Sequence, residues 1–134
     1  ISIRSLTATE LRPTKNGSIV SKNDMKIQNI KKDFCLKSFD GKISGALNGY
    51  IAAKVAYGSG GHQDNVFEEM DTIAEWWKNY KFETEEEVIV ILIDTDLTEK
   101  FNRLKSKYSS VKNVMVFNHI EFQQYMIRAY GCKS

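Results

Sequence analysis

The sequence predicts an α/β fold, a mixed central β-sheet flanked by helices. Three observations carry that prediction. Hydrophobic spacing switches along the chain between the two-residue period of strands and the 3.6-residue period of helices. Two extended segments come first, and strand-like and helix-like segments then alternate to the C-terminus. The run Val88–Ile93 is dominated by β-branched residues and holds nothing polar, as a buried central strand requires.

The elements follow in order. Residues 1–34 form a polar, lysine-rich segment with weak alternation, expected to be irregular apart from a short strand near Ser2–Leu6 and a hairpin turn at Asn16–Gly17. The core is expected over residues 35–128. Cys35–Asp40 alternates apolar and polar and reads as a strand ending at Asp40, with turns at Gly41 and Gly45–Gly49. Tyr50–Tyr57 reads as the second strand, ended by Gly58-Ser59-Gly60-Gly61. Asp64 or Asn65 then caps a helix whose Val66, Met70, Ile73, Trp77 and Tyr80 share one face. Trp76 and Trp77 are adjacent, so only one can lie on that face. The other is expected against the N-terminal segment or another subunit.

Glu85–Glu87 reads as a solvated turn before the strand Val88–Ile93. Asp94 or Asp96 is expected to cap a helix with Leu97, Phe101, Leu104 and Tyr108 on one side. Val114–Phe117 is a further buried strand, and Asn118 caps a last helix through Phe122, Tyr125 and Met126. Strands separated by helices should run parallel through right-handed crossovers.

At 134 residues, of which 42% are hydrophobic, the chain is expected to be one domain with one core. No apolar run is long enough to cross a bilayer, and no segment reads as a signal peptide. Cys35 and Cys132 show no metal-ligand spacing and read as free thiols, which fits a cytoplasmic protein. Ile1 rather than Met stands first, as in a trimmed piece of something longer. The net charge of +2 hides an asymmetry. Residues 1–63 carry ten Lys and Arg against four acids, whereas residues 64–134 carry nine against thirteen. A basic first half suits contact with phosphates, although a solvated surface explains it equally well.

One constellation has the parts for phosphodiester hydrolysis. That reaction needs hard oxygen ligands for a metal ion and a cation to steady developing charge. Asp40 ends one strand, and Lys54 lies on the next, on the same face as Ala52 and Ala56. The following loop, with Ser59, His62 and Gln63, opens a helix whose free N–H groups suit an anion. In this order, Asp40 and Ala52-Ala53-Lys54 resemble the PD…(D/E)XK motif of metal-dependent nucleases, and the downstream loop, helix and strand resemble the core of type II restriction endonucleases. The resemblance spans roughly residues 35–128. It departs from the motif at Phe39, where proline is usual, and at Ala52, where an acid is usual.

The resemblance implies an Mg²⁺-dependent endonuclease acting on double-stranded DNA as a homodimer. Asp40 would be a metal ligand and Lys54 would orient water or stabilise the transition state. Two explanations of Ala52 stand open. Either the acid has been lost, by engineering or naturally, leaving an inactive protein that binds DNA, or its role has moved to Glu68, with Glu69 the neighbouring candidate. Arg4, Arg12, Lys15, Lys37 and Lys42, with Ser59, His62 and Gln63, are the candidate DNA contacts. The rivals are a non-catalytic DNA-binding or assembly module with a degenerate core, and a small-molecule enzyme using Asp94 and Asp96. Asp94-Thr95-Asp96 superficially resembles the DxD of Toprim domains, but helix capping is the role expected there.

Overall fold

The computed structural model describes residues 1–6, 10–58, 62–81 and 87–131, and only the backbone of residues 62–64. Five strands make the main sheet: β1 (Ser2–Ser5), β4 (Gly41–Ser44), β5 (Gly49–Ala56), β6 (Val88–Thr95) and β7 (Val114–Phe117), side by side in that order. The pairs β1–β4 and β4–β5 are antiparallel, whereas β5–β6 and β6–β7 are parallel. The sheet is therefore mixed, and its parallel half is joined by helices as the alternating pattern requires. Those helices are α2 (His62–Tyr80) between β5 and β6, α3 (Thr98–Lys107) between β6 and β7, and α4 (His119–Tyr130) at the end.

Strand β6 explains the layering. Its alternate residues Ile89, Ile91 and Ile93 pack with Met70, Ile73 and Trp77 of α2 and with Phe101 and Leu104 of α3. The residues between them, Val88, Val90 and Leu92, pack with Phe122 and Met126 of α4. A strand buried on both faces has no polar side to present, which is why its apolar run is continuous. Asn118 caps α4 through a reciprocal capping box with Glu121, and Gly131 closes the helix in the left-handed conformation.

The N-terminal segment adds the hairpin β2 (Arg12–Pro13) and β3 (Ile19–Val20), the helix α1 (Lys22–Ile27) and a single 3₁₀ turn at Lys32–Phe34. The hairpin docks on α2. Trp76 Nε1 donates to the Thr14 carbonyl at 2.6 Å and Tyr80 Oη to the Lys15 carbonyl at 3.0 Å. Trp77 is the core tryptophan, and Trp76 is the one against the N-terminal segment. Gly17, at φ +93°, lies so close to the Tyr80 ring that a Cβ there would fall 2.5 Å from it.

Several local expectations are corrected. Residues 36–40 are not a strand: Leu36 and Phe39 give their N–H groups to the Pro13 and Leu11 carbonyls, so the N-terminal segment takes bonds a ladder would have used. The strand begins instead at Gly41, read as a turn, because Asp40 already bonds into the sheet through Ile51 and Leu6. Tyr80 is half exposed rather than on the buried face. Neither Asp94 nor Asp96 caps α3. Thr95 Oγ1 accepts the Leu97 N–H there, Asp94 turns to His119, and Asp96 accepts from the Gly58 N–H. Helix α2 starts at His62, ahead of both expected caps, and the Glu85–Glu87 turn lies largely outside the described residues.

Candidate functional site

The β4–β5 hairpin sets the candidate residues. Gly41 pairs with Ile51 and Lys42 with Tyr50, so one further step of that register puts Asp40 opposite Ala52. Asp40 Oδ2 accepts from the Ala53 N–H at 2.7 Å and from Lys37 Nζ at 2.6 Å. The first bond fixes the carboxylate against β5. The second is a charge-assisted i,i+3 contact whose lysine is largely covered. Lys37 is thus engaged with Asp40.

Along β5 the side chains alternate. Ala52 is wholly buried on the face covered by α2, and Ala56 joins the same cluster. Lys54 lies between them on the same face. Its side chain is 40% exposed, although Ala52 and Ala56 on either side of it are buried. Its partner is Glu69 of α2, with Nζ 3.7 Å from Oε1. Glu68 points elsewhere. It lines an open cleft between α2 and α3 with Asp71, Lys100 and Arg103. Of the two acids at the start of α2, Glu69 is therefore the one that meets Lys54.

The candidate DNA contacts are scattered. Arg4 and Lys42 are neighbours across β1 and β4, and the Lys42 ammonium sits 4.3 Å from the Tyr50 ring centre. Arg12 Nη1 donates to the Leu36 carbonyl at 3.3 Å, and Lys15 lies exposed near the hairpin turn. Ser59 and the side chains of His62 and Gln63 fall outside the described residues. Among those described, no group of three or more His, Cys, Asp or Glu is placed to hold a metal ion, and no helix is long and apolar enough to cross a membrane. Cys35 is a free thiol; Cys132 lies outside the described residues.

One pair escaped the sequence. Asp94 Oδ1, at the carboxyl end of β6, accepts from the His119 backbone N–H at 3.0 Å and lies 2.7 Å from its Nδ1. Burial works to raise the Asp94 carboxyl, but the two His119 bonds outweigh it and hold it below the usual carboxylate range. Twenty-five positions separate these residues, so no local spacing announces the contact.

No protein-family model, curated protein or solved structure gives a significant match to this chain.

Proposed function

We propose that the chain is a nuclease-type domain of the PD-(D/E)XK kind, acting on double-stranded DNA with Mg²⁺. The observation that supports it most is that Asp40 holds the Ala53 N–H, next in the chain to Lys54, whose ammonium meets Glu69 of α2. Asp40 and Glu69 are both more than a third exposed and offer hard oxygen donors. Two carboxylates with water are a donor set that suits magnesium. Bound there, the ion would polarise the phosphate and its attacking water. Lys54 would hold its ammonium toward the phosphate oxygens, and Asp40 would keep its orientation through the Ala53 N–H. Arg4 and Lys42, side by side across the edge strand β1 and its neighbour β4, would neutralise backbone phosphates.

Burial of Ala52 bears on the missing acid. A glutamate there would place its carboxylate among apolar side chains unless it reached the Lys54 end of the strand. Glu69, already beside Lys54, supplies an acid without that cost. The alternative, a DNA-binding module without chemistry, keeps the basic edge and makes Lys54–Glu69 a surface pair.

The test is Mg²⁺-dependent cleavage of plasmid DNA by the protein and by Lys54→Ala, Glu69→Gln and Ala52→Glu, with folding checked by circular dichroism. Cleavage that Lys54→Ala and Glu69→Gln each reduce by about a hundredfold or more supports the assignment. Cleavage by Ala52→Glu alone puts the acid at position 52. If no folded form cuts, while duplex binding persists and weakens with salt, the binding module stands instead.

A further inference from the structure

A cleft of about 500 Å³ opens in the N-terminal segment, away from the β4–β5 hairpin, and its charge is one-sided. Arg12 of β2, Lys22 and Lys26 of α1, and Lys31 and Lys32 at the 3₁₀ turn converge on it, against the single carboxylate of Glu10. Among the described residues, none of the four lysines has a carboxylate within ion-pair distance. The nearest acid on α1 is occupied: Asp24 accepts the Ser21 N–H in the capping box. Arg12 gives one N–H to the Leu36 carbonyl, while its Nε is buried without any hydrogen-bond partner.

Like charges gathered around a concavity repel one another, and the fold gains nothing from that gathering unless an anion enters. The left-handed Asn29 (φ +54°) that lines the cleft closes α1, with the Ile30 N–H on the Met25 carbonyl, and so fixes the turn that brings Lys31 and Lys32 to face the helix. Met25 and Ile30 supply an apolar wall beside the cations.

We infer that this cleft is a binding site for a phosphate-bearing anion carrying several negative charges. Lysines suit it as mobile point charges around a phosphate. The phosphates come either from a free polyphosphate-type ligand or from a nucleic-acid backbone. The assignment rests on the cleft alone and stands whether or not the Asp40–Lys54 site cuts DNA.

Binding of tripolyphosphate, and separately of a short blunt DNA duplex, is measured calorimetrically at low salt. The protein is compared with the triple variant Lys22→Gln, Lys26→Gln, Lys31→Gln and with the control Lys78→Gln, Lys112→Gln, Arg128→Gln, which removes equal charge elsewhere. Each lysine that contacts phosphate contributes about tenfold. Loss of saturable tripolyphosphate binding in the cleft variant only supports the site and a free ligand. Loss confined to the duplex supports it with backbone phosphate. In the unsubstituted protein, ligand-induced shifts of the amide resonances of residues 22–32 report the same site, so a cleft variant that misfolds does not decide the question. Equal weakening in both variants, or no binding with no shifts at residues 22–32, overturns the assignment.

Discussion

Helix α2 carries two acid–base arrangements, and they are held very differently. Near its start, Glu69 meets Lys54 across 3.7 Å, with both side chains more than a third exposed. Two and six residues on, Asp71 and Glu75 accept from the buried Tyr108 hydroxyl, and Lys107 closes on Asp71 at 2.9 Å and on Glu75 at 3.5 Å. Burial and the two carboxylates together push the Tyr108 hydroxyl far above its ordinary range, and the Asp71 bond raises Lys107. The second arrangement is saturated and ties α2 to the end of α3. The first has spare bonding capacity and water at hand. An ion pair that can exchange partners is available to a ligand, whereas one that fixes two helices is not.

The largest effect is expected in the saturated arrangement. Tyr108→Phe keeps a ring that is 2% exposed but removes the donor that two carboxylates share. Urea unfolding should show a loss of about 1–3 kcal/mol. A change below about 0.5 kcal/mol, the size of an ordinary surface substitution, would mean that Lys107 alone holds the acids and that the contrast between the two arrangements is false.

Legibility in the sequence follows the same division between local and distant contacts. Strands β5, β6 and β7 and helices α2 to α4 were readable because hydrophobic period is a local property, as is the cap of α4, whereas the caps expected for α2 and α3 are not the ones formed. Val88–Ile93 lies wholly within β6, Val114–Phe117 is β7, and Asn118 is the cap of α4. Residues 36–40 misled because their alternation is real while their hydrogen bonds go to Leu11 and Pro13. The same limit applies to the site. Asp40 and Lys54 were visible from spacing, but choosing Glu69 over Glu68 required the azimuth of α2 relative to β5. His119 as partner of Asp94, and the convergence of lysines on Arg12, depend on packing between segments that no spacing encodes.

A smaller effect is expected at Asp94, and it depends on pH. Its folded carboxyl lies below the unfolded value of about 3.9, so its contribution is present above that value and is lost as pH falls through the folded one. His119→Ala removes the ring contact and keeps the backbone N–H. Because the imidazole is 65% exposed and screened by solvent, the loss should stay under about 1 kcal/mol near neutral pH. Unfolding measured from neutrality down to about pH 2 should show the two proteins converging as Asp94 becomes protonated. A gap that persists at the acid end would assign the effect to packing of the imidazole rather than to the carboxylate.

The smallest stability effect belongs to Lys54 and Glu69, and its smallness is what makes it informative. A double-mutant cycle with Lys54→Ala and Glu69→Gln isolates the pair, since each change removes the contact without adding another charge. At 3.7 Å and with about two-fifths of each side chain exposed, the coupling should not exceed about 0.5 kcal/mol. Held that weakly, Lys54 can leave Glu69 for a phosphate oxygen, and Glu69 can turn to a cation, at little cost to the fold. A coupling of about 2 kcal/mol or more would make the pair a tie between β5 and α2, comparable to the one at Tyr108. In that case the ammonium would be committed to the structure, and the nuclease assignment would lose the group on which its chemistry depends.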